Sequence, residues 1–230
     1  MKVLAIVNQA DDGPGLFAEV AAVRGVELES WLPFEASPPA GPHDGVLVLG
    51  GTMHVDQTDR HPWMRGVLGA LETALAERTP TLGVCLGAQM LALVAGAEVG
   101  PSPEPENGWT EVLLRPEARG DRLLGAFEGD RLLAFQGHSY AFSTPPGAVS
   151  LAYSPVCEQA FRLGETAWGI QFHPEASVAM LEGWIAEMDF PEEARAAVLA
   201  ETRSREEGSR ATAATLFGGF LDEVAERARP

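Results

Sequence analysis

Positive charge is scarce in this chain. There are 16 lysines and arginines against 33 aspartates and glutamates, which gives a formal net charge of −17 and a sequence pI near 4.6. A surface of that sign repels phosphate backbones and anionic lipid, so neither nucleic acid nor a membrane surface is expected as a partner. Cysteine is scarcer still, with Cys85 and Cys157 alone. After Met1-Lys2 the apolar stretch reaches Asn8-Gln9 too soon for a secretory leader. Two cysteines without an export signal fit a reduced, cytoplasmic compartment. No apolar run approaches the ~20 residues that a membrane helix needs. Among His43, His54, His61, His138 and His173, none pairs with cysteine at a tight ligand spacing, and His-Glu-x-x-His is missing. No metal site is expected. Gly-x-x-x-x-Gly-Lys-Ser/Thr is missing as well, so the nucleotide-using half of a synthetase is not expected, and no cofactor is implied.

What the chain does have is enough apolar residues for one substantial core: 46% of 230. One domain over 1–230 is the natural reading, with a helical C-terminal extension at 191–230 packed on it. The first half alternates strands (3–7, 26–31, 46–49, 81–84) with helices (15–23, 62–77, 86–94). That alternation predicts a mostly parallel, doubly wound sheet with helices on both faces and 3–7 as its central strand. Beyond Val99 short strands are expected at 109–115, 131–135, 149–154, 159–163 and 167–172, as an added antiparallel ribbon. The prolines Pro101, Pro103 and Pro105 mark a loop, and the rest from Ala176 reads as helical. Gly218-Gly219 predicts a bend in the last helix.

The chemistry is concentrated at Gly83-Val84-Cys85-Leu86-Gly87-Ala88-Gln89. A cysteine between a buried strand and a helix, with glycine two residues before and two after, has the layout of a nucleophile elbow. Side chains at those flanking positions would collide in so sharp a turn. The thiol then sits at a helix N-terminus, where unpaired N–H groups and the helix dipole favour thiolate. A nucleophile needs a base, and His173 in Gln171-Phe172-His173-Pro174-Glu175 is the best candidate. Residues two apart on an extended backbone point the same way, so Glu175 can orient the His173 ring. The strand ending Leu49-Gly50-Gly51 offers a backbone N–H to a developing oxyanion, with the Leu86 N–H as second donor.

These motifs, in this order, resemble the class I (triad-type) glutamine amidotransferases, and in particular their stand-alone, GMP-synthetase-like branch. Gly50-Gly51-Thr52-Met53-His54-Val55-Asp56, His61-Pro62-Trp63-Met64, Asn107-Gly108-Trp109 and Gln159-Ala160-Phe161-Arg162 carry the likeness further. The resemblance implies a flavodoxin-like fold and hydrolysis of the glutamine γ-amide through a γ-glutamyl thioester. Ammonia would be released to a separate synthetase subunit. Cys85 would be nucleophile, His173 base and Glu175 orienting acid, with Gly51 and Leu86 giving the oxyanion N–H groups. Gly50, Gln89 and the stretch Gly137-His138-Ser139-Tyr140 would line the substrate pocket. This chain departs from many relatives at Tyr140, where they carry aspartate. That substitution, with no fused acceptor domain expected, keeps open a γ-glutamyl peptidase or hydrolase acting on γ-glutamyl conjugates. A non-catalytic binding subunit or sensor is a further alternative, which an intact triad disfavours. Glu175 also suits a helix first turn behind Pro174, and Cys157 reads most simply as a small buried hydrophobe.

Overall fold

A computed structural model describes residues 1–228. In chain order its elements are β1 (Lys2–Ile6), α1 (Gly15–Val23), β2 (Glu27–Trp31), β3 (Gly45–Val48), α2 (Met64–Glu77), β4 (Thr81–Val84) and α3 (Leu86–Val94). There follow β5 (Val99–Leu114), β6 (Arg131–Phe142), β7 (Ala148–Tyr153), β8 (Glu158–Leu163), β9 (Ala167–Ile170), α4 (Val178–Glu187), α5 (Glu192–Ser204) and α6 (Glu206–Arg227). The strands form one nine-stranded sheet in the order β2-β1-β3-β4-β9-β8-β7-β5-β6. From β2 to β9 every neighbouring pair is parallel, and from β9 to β6 every pair is antiparallel. The expected α/β architecture with its antiparallel ribbon is therefore present.

Strands β3, β4 and β9 are buried along their whole length. Their unbroken apolar character reflects helices on both faces of a parallel sheet. One face carries α1 and α6, where the rings of Phe17 and Phe217 stack at 4.5 Å. The other carries α2 and α3, through Met64, Val67, Leu71, Met90 and Leu91. A third, smaller cluster of Phe135, Ala176, Leu181 and Ile185 seats α4 and α5 beside β6.

Three details differ from the sequence reading. The β1 strand is not central but lies one strand in from the edge. The proline-rich stretch 101–105 lies inside β5, not in a loop. The β5–β6 register shifts between Pro101 and Glu106, and β7 pairs with β5 only at Leu113 and Leu114. With one side of the strand unpaired and a bulge on the other, the missing proline N–H groups leave no ladder bond unmade. The α6 helix also runs unbroken through Gly218-Gly219. A Cβ at Gly219 would come 2.5 Å from the Arg122 carbonyl oxygen, so this glycine serves close packing and not a bend.

Candidate active site

The C-terminal ends of β1, β3, β4 and β9 converge on Cys85. In open α/β sheets this is where ligands bind, just outside the carboxyl ends of the strands. Cys85 is the residue between β4 and α3, with φ +49° and ψ −109°. Only it and Arg78 have positive φ among the described non-glycine residues. Such a backbone costs about 1–3 kcal/mol and persists only where its surroundings hold it. They do so here through bonds on both sides: Cys85 N–H donates to Ile170 O at 2.8 Å, and Cys85 O accepts from Gln89 N–H at 2.9 Å. A Cβ on Gly83 would stand 2.6 Å from the Gly87 carbonyl, and one on Gly87 would overlap the Val48 carbonyl oxygen. Gly87→Ala is accordingly expected to destabilise the fold by about 1–3 kcal/mol, the range for overpacking, and urea denaturation measures it.

His173 lies beside Cys85 and is 8% exposed, and Glu175 behind it is 2% exposed. The ring Nδ1 meets Glu175 Oε1 at 2.8 Å. Burial is the largest influence on the ring and opposes its charge, but the charges of Glu175 and Cys85 and the hydrogen bonds to both outweigh it. The His173 pKa is held well above its usual value. The Trp184 ring packs against it at a steep angle, with centroids 4.9 Å apart. Gly50 is packed closely as well, since a Cβ there would come 3.1 Å from His173 Cε1 and 3.6 Å from Cys85 Cβ. Gly15 presses against the Glu175 carbonyl, which accepts the Leu16 N–H at 2.8 Å. The start of α1 thus fixes the backbone of the acid. Among the described residues, neither the Gly51 nor the Leu86 N–H has an acceptor. Leu86 opens α3, where the N–H groups are free by construction.

Two adjoining cavities meet at the thiol, with Gly51, Thr52, Cys85, Gly137 and Met188 lining both. The first, of about 430 Å³, is lined by Gln89, Asn107, Gly137, His138, Ser139 and Tyr140, among others. Its walls are not all free to meet a ligand. Both hydrogens of the Gln89 amide are engaged within the protein, with Tyr140 O at 2.9 Å and Gln171 Oε1 at 3.2 Å. The His138 side chain is 1% exposed, with Nε2 3.4 Å from Glu106. Tyr140 stacks on His54 and donates its hydroxyl to Asp56 Oδ2 at 3.0 Å. Asp56 and His54 belong to a stretch that the sequence singled out only for its likeness to a family. The acid missing at Tyr140 is not replaced by Glu111, which pairs with Arg131 at 3.1 Å on an exposed part of β5.

The second cavity, of about 250 Å³, is lined by Gln9, Asp12, Gly51, Thr52, Cys85, Gly137, His173, Trp184, Glu187 and Met188. Sequence reasoning missed Gln9, Asp12 and Trp184. The signal available was the acidic turn directly after β1, at the end of the sheet where sites form. Gln9 Oε1 accepts both the backbone N–H of Thr52 at 3.0 Å and its hydroxyl at 2.7 Å, which ties the glycine loop to that turn.

Cys157 is not the simple buried hydrophobe expected. It lies in a polar cluster where Glu106 Oε2 accepts from Ser154 Oγ at 3.0 Å, Gln159 Nε2 at 2.8 Å and the Cys157 thiol at 3.3 Å. Burial and the Glu106 charge push that thiol up to about 12. Glu106, Cys157 and His138 bring their ligand-type atoms within 4.8 Å of one another. In this arrangement the thiol donates to Glu106, which makes the set a hydrogen-bonded cluster.

A strained cysteine at a strand–helix elbow, facing a buried histidine–carboxylate pair, has the layout of a cysteine hydrolase site on a flavodoxin-like sheet. The family described as glutamine amidotransferase class-I matches residues 21–185. The chain is 35% identical to a glutamine-hydrolyzing GMP synthase subunit of Ignicoccus hospitalis, over 62% of its own length and 73% of that protein's. It is 29% identical to a gamma-glutamyl-L-1-hydroxyisopropylamide hydrolase of a Pseudomonas species, over 69% of this chain and 56% of that one. In structure it resembles a glutamine amidotransferase from Thermotoga maritima, with a TM-score of 0.85, 25% identity and 98% of each chain covered. The chain belongs to the class I glutamine amidotransferase family and is an enzyme of that hydrolytic kind. Among the described residues no helix is long and apolar enough to cross a membrane.

Proposed function

We propose that this chain hydrolyses the γ-amide of glutamine through Cys85, His173 and Glu175. The thiolate of Cys85 attacks the γ-carbonyl carbon, and the N–H groups of Gly51 and Leu86 receive the developing oxyanion. The C–N bond breaks, ammonia leaves with a proton from His173, and a γ-glutamyl thioester remains. Water, deprotonated by His173, then cleaves the C–S bond to give glutamate and restore the thiol. Glu175 holds the ring in the required tautomer and stabilises its charged form. The observation that carries this reading is the 2.8 Å contact between the buried His173 and Glu175, next to a thiol held at positive φ. Gly50, Gln89 and 137–140 would frame the amino-acid end of the substrate, within one domain formed by the whole chain. Released ammonia would pass to a separate synthetase subunit in the cytoplasm, and the chemistry requires no metal or cofactor.

Glutamine should bind weakly to the isolated chain. Tyr140 supplies no carboxylate for the substrate ammonium, and its carbonyl oxygen already accepts from Gln89 at 2.9 Å. A charge-assisted contact is worth roughly 1.5–3 kcal/mol, so Tyr140→Asp should lower the glutamine KM about tenfold or more. Steady-state kinetics on purified protein decide this. A sub-millimolar KM with no gain from Tyr140→Asp contradicts it and leaves a plain glutaminase.

A second reading has its own support. The cavity on the His173 side of the thiol has room for more than ammonia, and one relative is described as a hydrolase of a γ-glutamyl amide. On this reading the same triad cleaves γ-glutamyl conjugates.

A further inference from the structure

The cavity holding Asp12 lies on the side of Cys85 to which a leaving group must go. His173 lines this cavity and does not line the one formed by Gln89 and 137–140. When an acyl group sits on the thiol, the departing nitrogen must face the imidazole that protonates it. The glutamyl part then extends toward Gln89, and the amine extends toward Asp12 and Trp184.

Size and charge narrow the amine. The cavity measures about 250 Å³. Ammonia, close in size to water, needs only about 30 Å³. Asp12 is 8% exposed, and its Oδ1 has no hydrogen-bond partner. A buried carboxylate oxygen left without a hydrogen-bond donor is costly, unless a ligand supplies one. Asp12 does not spend this oxygen on capping α1. Burial raises its carboxyl to about 6, with the charges of Asp11 and Glu175 adding to the rise and the His173 charge and a hydrogen bond from Trp184 opposing it, so it is mostly ionised above neutral pH. Glu187 lines the same cavity, and His173 is the one basic side chain that does.

We infer that this cavity is a leaving-group subsite for amines that carry a second, cationic group, with Asp12 as its counter-ion. The enzyme would then prefer γ-glutamyl amides of diamines to those of neutral amines of equal length. The inference rests on the conjugate-cleaving reading above. No new chemical step is involved, since the amide C–N bond breaks as before and His173 protonates the nitrogen.

The test compares kcat/KM for the γ-glutamyl amide of putrescine, for γ-glutamyl-n-pentylamide as its neutral analogue, and for glutamine. Wild type and Asp12→Asn are measured in parallel on the full chain. The wild type should favour the putrescine amide over the pentylamide by about tenfold or more, as a buried charge-assisted contact allows. Asp12→Asn should bring that ratio close to one while still cleaving the pentylamide, which also shows that the variant is folded. Equal rates on the two amides in the wild type, or an undiminished ratio in Asp12→Asn, overturn the subsite and leave the hydrolase intact. Failure of the wild type to cleave either amide, with glutamine turned over, overturns both the conjugate reading and the subsite. Failure on all three compounds removes the hydrolase reading and the subsite with it.

Discussion

Replacing Cys85 with alanine is expected to cost at least about 10³-fold in turnover, the loss that follows removal of a covalent nucleophile. No other thiol is placed to take over. Cys157 sits in the Glu106 cluster, and its thiol is pushed up to about 12, so it stays protonated at any physiological pH. The substitution should leave the fold in place, because alanine keeps the Cβ and every backbone bond of the elbow. Glutamate release by wild type and Cys85→Ala, with matched unfolding curves, gives the comparison. Activity in Cys85→Ala within a few fold of wild type would falsify the triad reading outright.

Glu175→Gln should lower kcat by roughly 10²–10⁴-fold, with a smaller effect on KM. Burial opposes protonation of the His173 ring, and Glu175, itself 2% exposed, is the strongest influence in the other direction. A glutamine keeps the shape but removes the charge that supports the imidazolium during attack. The effect on stability has a definite sign. His173 has a folded pKa above its unfolded value, so its contribution is fully present below about pH 6.5 and is lost as pH rises through the folded pKa. Glu175→Gln should flatten that loss. Unfolding free energies at several pH values and the kcat of the variant together check this. An unchanged kcat, or an unchanged slope of stability with pH, is the contrary result.

Much of the site was legible because elbow chemistry is local. Gly83, Cys85 and Gly87 announce a turn that only those residues fit, and His173 and Glu175 are two residues apart. The parallel strands were legible for a similar reason, since burial on both faces leaves short, wholly apolar runs. What the sequence concealed depends on contacts between distant segments. The prolines of β5 read as a loop until the neighbouring strands show that their missing N–H groups are never needed. Gly219 reads as a bend until the Arg122 carbonyl is seen against it. Cys157 looks like a small apolar residue until Glu106, 51 positions away, is found beside it. Asp12 and Trp184 carry no motif at all, and they meet only because α4 and the turn after β1 line one cavity at the thiol.

The central claim, a single reactive thiol at the elbow, is tested most directly by peptide mapping after inactivation with an electrophilic glutamine analogue. The account predicts one adduct per chain, on the peptide containing Cys85, with labelling slowed by glutamine or by a γ-glutamyl amide. Labelling chiefly at Cys157, or labelling of Cys85 that no γ-glutamyl compound slows, would contradict it.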